Sequence, residues 1–437
     1  MKGRDSVKKR NLFRRIVVTI GLLAMIGASA CAQETKSTPS ASSSPAPASQ
    51  SSAAAPTKPT TKTVGTELKL GFVNPTSGAQ ADYGLRMRIA ADMAVKEINA
   101  TGGVNGVPLK VLEADTGSQP QEEARLLQRF AGDDKVLAIF GVLSGDPAMH
   151  LPMVSKLRVP LIMTGPVPPA VLKESVPWGF TFATFTTELI RAGIKQAVKM
   201  HNPKKLASIY PGDLPNGKVI GENTLQLAKE AGIEALDPIM ISFKDTDYTA
   251  AVTRLKGQVA SQGADMVAIG HSGQGAGVIV AEMRKQGIQI PVLGAYSAAA
   301  AGLITSGGQA VEGVIVEANW VNDNPDSLQG KFVKEFEARA QAESVKGPTA
   351  DYSTAYIYDM VRVLAKTMQD GGISNAPENL AKDRELITKG LLSIKDFPAV
   401  GGKISIGENG QTIREVFTAI VKDGKFQMLS RCFPGSC

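Results

Sequence analysis

Residues 68–106, LKLGFVNPTSGAQADYGLRMRIAADMAVKEINATGGVNG, constrain the fold more than any other stretch. The apolar run Leu68 to Val73 has strand length and is closed by the turn cluster Asn74-Pro75-Thr76-Ser77-Gly78. Leu85, Ile89, Ala90, Ala91, Met93, Ala94 and Ile98 then fall largely on one helical face, with charges opposite. Thr101-Gly102-Gly103 supplies the helix stop. Leu109 to Ala114 reads as the next strand. Such a β-α-β unit implies two parallel strands joined by a crossover helix.

The alternation continues. Helices are expected at Gln121–Phe130, Met149–Lys156, Glu188–Met200, Lys218–Ala231, Tyr248–Ala260, Gly277–Gln286, Leu328–Gln341 and Thr349–Gln369. Strands are expected at Val136–Phe140, Pro160–Met163, Leu206–Tyr210, Ile239–Ile241, Met266–Ile269, Val292–Leu293, Val314–Glu317 and Ile413–Val421. The last strand should end in a hairpin at Lys422-Asp423-Gly424-Lys425. This pattern argues an α/β protein with parallel sheets covered by helices on both faces. The 437 residues suffice for two domains.

The order of residues in the first unit resembles the type I periplasmic solute-binding proteins, of the Leu/Ile/Val-binding branch. The matching features are an opening strand into Pro75-x-Ser77-Gly78, then Tyr83-Gly84, then Glu97-Ile98-Asn99-Ala100 into Gly102-Gly103. The resemblance runs to roughly residue 425. It implies two lobes, each a parallel sheet flanked by helices, with three crossings between them. Mapped here, lobe one is 66–184 plus 318–395, and lobe two is 185–317 plus 396–430, with a tail at 431–437. The implied function is a monomeric receptor that hands a small solute from its inter-lobe cleft to an ABC permease. A sensory receptor of the same fold is the alternative.

The ends carry their own message. Residues 1–30 read as an export signal, with a basic stretch to Arg15, an apolar run Ile16–Ile26 and Ala28-Ser29-Ala30 before Cys31. That apolar run is shorter than the roughly 20 residues a membrane span needs. A cysteine at this place resembles a bacterial lipoprotein cleavage site, so Cys31 is the expected lipid attachment; plain secretion with nearby cleavage is the other reading. Residues 31–66 are rich in Ser, Ala, Pro, Thr and Lys and should form a disordered tether. An extracytoplasmic, membrane-anchored location follows. The formal charge of +7 suggests a nucleic-acid partner at first sight, but nearly all of the excess lies in residues 1–30. No basic aromatic stripe remains to track phosphates, so nucleic acid is excluded as a partner. Cys432 and Cys437 make an even pair in an oxidising compartment, either bridged or left as free thiols. No Cys/His cluster has metal-ligand spacing, and no cofactor or metal is expected.

Two motifs imitate catalysis. Gly212 to Lys218 has the spacing of a phosphate-binding loop. However, Val219 stands where a magnesium-binding Ser or Thr belongs, and Pro215 removes an amide. Gly270-His271-Ser272-Gly273 approaches a nucleophile elbow, but Gln274 replaces the closing glycine. All three histidines, His150, His201 and His271, precede Ser272, against the order an α/β-hydrolase needs. The carboxylate pairs Asp133-Asp134 and Asp245/Asp247 read as solvated caps. An enzyme is therefore not expected.

The resemblance also implies ligand positions. Tyr83 falls at the cleft edge. The loop Leu143-Ser144-Gly145-Asp146 and the loop Thr164 to Pro168, including Val167, would hold a ligand carboxylate with hydroxyls and amides. Asn216, Ser272 and Tyr296 fall where relatives carry second-lobe side chains, and Asp213 or Asp146 could supply an acid. Departures matter here. Pro166, Pro168 and Pro169 lack amide donors. Residues 294–301 hold no acid for a ligand ammonium, and two family aromatics are replaced by Asn216 and Ser272. The expected ligand is accordingly something other than a simple α-amino acid.

Overall fold

The structure is a computed structural model and describes residues 66–143, 146–321, 327–373 and 376–436. In lobe one, β1 (Leu68–Asn74), α1 (Ala81–Ala100) and β2 (Leu109–Asp115) form the expected unit. It continues through α2 (Pro120–Gly132), β3 (Ala138–Gly141), α3 (Pro147–Leu157), β4 (Leu161–Met163), α4 (Pro169–Ser175) and β5 (Gly179–Thr181). The five strands are parallel in the order β2-β1-β3-β4-β5. Burial on both faces explains why β1 is apolar almost throughout. Leu68, Leu70 and Phe72 enter one core, whereas Val73 joins Leu126, Leu127, Phe130, Leu151 and Val154 on the other face.

Lobe two starts at α5 (Thr186–His201) and runs through β6 (Lys205–Pro211), α6 (Pro215–Glu230), β7 (Glu234–Ala235), β8 (Ile239–Ile241), α7 (Thr249–Gln262) and β9 (Met266–Ile269). It then passes through α8 (Gly273–Lys285), β10 (Val292–Gly294), α9 (Ala301–Gly307) and β11 (Ile315–Ala318). The chain returns to lobe one as α10 (Ser327–Ala342), α11 (Tyr352–Asp370) and α12 (Leu380–Leu392), whose Phe332, Phe336, Met360, Leu364 and Leu391 join the core of Leu68 and Phe140. A small antiparallel sheet follows, of β12 (Phe397–Ala399), β13 (Gly402–Ile406) and β14 (Thr412–Arg414). Finally β15 (Val416–Lys422) and β16 (Lys425–Cys432) add an antiparallel hairpin to the large sheet through β11. Asp423 and Gly424 both have positive φ, as a tight hairpin turn requires.

Among the described residues, the elements change lobe three times: between Thr181 and Thr186, between Ala318 and Ser327, and between Arg414 and Val416. The third crossing lies later than the sequence mapping put it. Ala399, Val400, Ile404 and Ile406 pack into the lobe-one core, and Thr181 bridges Gln411, so residues 397–414 stay with the first sheet. The single strand expected over Ile413–Val421 is two strands of different sheets, broken at Glu415. Its continuous apolar look hides a change of face: Ile413 is exposed while Thr412 and Arg414 are buried. Of the elements the sequence left unread, α4, β5 and α9 are too short for periodicity to register, whereas the 13-residue α12 was passed over.

Candidate functional site

The lobe-one wall is built from the first turns of two helices. Asn74, at the end of β1, donates through Nδ2 to the Gly84 carbonyl at 2.8 Å. This holds α1 so close to the preceding turn that a Cβ on Gly84 would lie 2.0 Å from the Pro75 oxygen. The Tyr83-Gly84 pair is thus partly a packing requirement. Tyr83 is half-buried, with the Arg86 guanidinium 4.9 Å from its ring centre. Arg86 in turn pairs with Asp351 at 2.5 Å. Asp351 caps α11 in a capping box with Thr354. The next two turns of α11 present Tyr352 and Tyr356, edge to face at 5.6 Å, and Tyr356 meets Phe182 edge-on at 6.0 Å.

Arg414 completes this wall from β14. Its guanidinium carbon lies 3.9 Å from the Tyr356 ring centre and 5.0 Å from that of Phe182. Burial pushes the phenols of Tyr83, Tyr352 and Tyr356 above their ordinary value, with Arg414 pulling Tyr356 partly back. All three are therefore neutral hydroxyl donors at physiological pH.

Lobe two contributes Tyr296, just beyond β10. Its hydroxyl accepts from Asn216 Nδ2 at 3.0 Å. Burial raises the Tyr296 phenol, hydrogen bonding with Asn216 and Thr186 opposes the rise, and the fields of Glu317 and lobe-one Tyr356 add to it. The Tyr296 backbone N–H points to the Glu317 carboxylate at 3.3 Å. Thus an acid does stand beside Tyr296, although none exists in residues 294–301. It comes from β11, is 1% exposed, and burial pushes its pKa up to about 8. It packs so closely on α5 that a Cβ on Gly193 would meet it at 2.6 Å. With Ser208 and Thr224 it lines a cavity of about 10 Å³, room for a single water.

The expected site residues divide. Tyr83, Asn216 and Tyr296 belong to this tyrosine-rich assembly. Thr164 is buried at the end of β4, and its Oγ1 makes no hydrogen bond. The adjoining Gly165 carbonyl accepts from Thr181 Oγ1 at 2.8 Å. Val167 instead packs in the apolar core with Val73 and Leu172. Asp146 caps α3, accepting from the Ala148 N–H. Asp213 is occupied by the Ser242 hydroxyl at 2.5 Å and the Phe243 N–H at 2.8 Å, which ties β8 to the start of α6. Ser144, Gly145, Cys31 and Cys437 lie outside the described residues; Cys432 is disulfide-bonded.

The two catalytic look-alikes have packing roles. His271 is buried, stacks on Phe243 at 5.1 Å and sits 3.3 Å from the Tyr248 hydroxyl. Its Nδ1 is 3.1 Å from Ser272 Oγ, at the start of α8. Lys218 is exposed and pairs with Glu222, while Asp213 puts a carboxylate into the loop that a phosphate would need.

Sequence reading missed Thr184, Glu317, Tyr352, Tyr356, Thr412 and Arg414. One signal was available: an arginine two residues before a strand of Val, Phe, Ala and Ile is an anomaly worth following.

Comparisons with known proteins agree with this architecture. The chain is 24% identical over 347 residues to the Leu/Ile/Val-binding protein homolog 1 of Brucella abortus, covering 79% of this chain and 87% of that protein. It superposes at a TM-score of 0.70, with 22% identity, on a branched-chain amino acid transporter substrate binding protein from Streptococcus pneumoniae in complex with isoleucine. That match covers 84% of this chain and 99% of the other. An ABC transporter solute binding protein from R. palustris, in complex with benzoate, superposes at 0.69 with 20% identity, covering 84% and 97%. The periplasmic binding protein family profile matches residues 67–425, and the chain belongs to that family.

Proposed function

We propose that this chain is a non-enzymatic, extracytoplasmic solute receptor that closes its two lobes on a small solute and delivers it to an ABC permease. The observation that carries this reading is a set of buried polar groups, several of them beside the lobe crossings, with no well-aligned hydrogen bond in the protein. Thr164 Oγ1, Thr184 Oγ1, Thr412 Oγ1, Tyr356 Oη and Arg414 Nε and Nη2 all belong to it. Folded interiors leave few such groups, because each costs about 1–3 kcal/mol. A solute held between the lobes would satisfy them. Tyr83, Tyr352 and Tyr356 then serve as one wall and Tyr296 with Asn216 as the other. The tether behind Cys31 holds the receptor at the membrane surface through a lipid.

The three crossings act as the hinge. Small-angle scattering with a thermal-shift screen of amino acids, amides, carboxylic acids and polyols tests the reading. A binding solute should compact the particle and, at about 100 times its dissociation constant, add roughly 2.7 kcal/mol of stability. A particle whose dimensions and melting point ignore every class of solute would falsify it. For the anchor, Cys31→Ser should move the protein from the membrane to the soluble fraction. Retention of that variant after carbonate washing would place the anchor elsewhere.

A further inference from the structure

β14 is built inside out. Its apolar residue, Ile413, is 38% exposed, while Thr412 and Arg414 are turned inward at 1% and 5%. Alternation along a strand puts Thr412 and Arg414 on one face. Across the ladder they stand beside Ile406 and Ile404, which are both apolar and buried. The Arg414 cation therefore meets aromatic rings and aliphatic side chains. The neighbouring acid is Asp359, whose carboxylate already accepts two bonds from the Val400 N–H and one from Arg362. Arg414 forms no ion pair within 4 Å among the described residues.

The unpartnered atoms are specific. Nε and Nη2 form one edge of the guanidinium, presenting two parallel N–H groups, the geometry that matches both oxygens of a carboxylate. Beside this edge, the buried hydroxyls of Thr184 and Tyr356 approach each other and the guanidinium closely enough to draw the Tyr356 phenol partly back down from the rise that burial causes, yet neither makes a well-aligned hydrogen bond, and Thr412 lies two residues along the strand. A desolvated cation with no ion-pair contact, beside buried hydroxyls that lack a well-aligned partner, costs free energy in the unliganded protein, and an arriving anion would offset it.

We infer that Arg414, with Thr184 and Tyr356, is the anchor for the carboxylate of a monoanionic solute, whose apolar remainder lies against Phe182, Tyr352 and Tyr356. This rests on the solute-receptor reading and narrows it to an acid without a balancing amine. A neutral amide of the same shape offers one acceptor oxygen where Arg414 presents two donors, and it adds an N–H₂ that the site must then desolvate.

Isothermal titration of the purified protein with straight-chain monocarboxylates from butyrate to octanoate, benzoate and phenylacetate, each paired with its primary amide, tests the assignment. At least one acid should bind about 30-fold or more tightly than its amide. Arg414→Met should abolish that binding, while its melting temperature without ligand stays level or rises. Arg414→Lys, a charge without the bidentate edge, should recover only part of it. Thr184→Val is the second variant, should Arg414→Met fail to fold, and should weaken the same acid about 10-fold. The assignment is overturned if no acid binds, if acid and amide bind alike, or if Arg414→Met or Thr184→Val binds the acid as the parent does. Saturable binding of leucine or a polyol, indifferent to Arg414→Met, would sink the anchor and leave the receptor reading standing.

Discussion

Lobe one contains two arginines that are nearly equally buried and do opposite things. Arg384, on α12, is 6% exposed, and Arg414, on β14, is 5% exposed. Arg384 donates to the carbonyl of Ala131, in the last turn of α2, and twice to that of Val136, at 2.8–3.0 Å. It thereby satisfies acceptors that a helix end and a loop would otherwise leave open, and it locks α12 onto the sheet. Burial lowers its pKa to about 10, so it stays charged at neutral pH. Arg414 has comparable burial, but its Nε and Nη2 find no acceptor. Burial alone therefore does not distinguish a structural arginine from a binding one; the census of acceptors around it does.

The largest expected effect falls on Arg384. Arg384→Met removes three hydrogen bonds and leaves two carbonyls buried and unpaired, so it should cost about 3–5 kcal/mol in urea or thermal unfolding. Arg414→Met should leave the ligand-free stability level or raise it by about 1 kcal/mol. Equal losses at the two positions would erase the contrast and make Arg414 an ordinary structural residue.

A slightly smaller effect belongs to Glu317. Its pKa rises from the ordinary 4.5 to about 8 on folding, because burial penalises the carboxylate. The folded state thus binds the proton more tightly than the unfolded state. The associated stability is fully present below about pH 4.5 and is lost as pH rises to about 8. The full span is at most about 4–5 kcal/mol. Asp359, raised to about 6, and Glu123, raised to about 7, tilt stability the same way. The informative quantity is therefore the difference made by Glu317→Gln. That variant should be more stable than the parent at pH 8 and show a shallower decline from pH 5. An unchanged slope would mean that Glu317 is ionised in the folded protein.

Next comes discrimination between solutes. The loop through Pro166, Pro168 and Pro169 is poor in amide donors, and the acid nearest Tyr296 is the deeply buried Glu317. A ligand ammonium without a paired charge loses about 2–5 kcal/mol, or some 30-fold to several thousandfold in affinity. Leucine, isoleucine and valine should accordingly bind weakly. Submicromolar leucine in a titration calorimeter would show that Glu317 ionises to meet the ammonium, and it would shift attention from the Arg414 edge to the Tyr296 side.

The smallest effect is expected at Ser272. Its hydroxyl touches His271, but the ring is held by Phe243 and Tyr248 as a packing element. Ser272→Ala should fold normally, within about 0.5–1 kcal/mol of the parent. Purified protein should show no esterase turnover that this substitution removes.

Much of the architecture could be read from local pattern. The β1-α1-β2 unit, the Ile239–Ile241 and Met266–Ile269 strands and the Asp423-Gly424 hairpin all depend on residues within a turn or two of one another. The periodic apolar faces that reveal them are the same faces that bury the core. Tyr83, Asn216 and Tyr296 were expected from the family resemblance and not from local pattern, and the structure places them in the tyrosine-rich assembly.

What the chain alone determined was the alternation of parallel strands and helices and membership of the periplasmic binding protein family. What only the tertiary structure decided was the company its polar residues keep. Glu317 comes to Tyr296 across 21 residues. Arg414 comes to Phe182 across more than half the chain, and β14 changes lobes one residue after it. No periodicity encodes such meetings, since each depends on how two separately folded sheets are crossed and joined. Whether a buried charge is satisfied is a property of all the atoms around it, and those atoms come from four distant segments of this sequence.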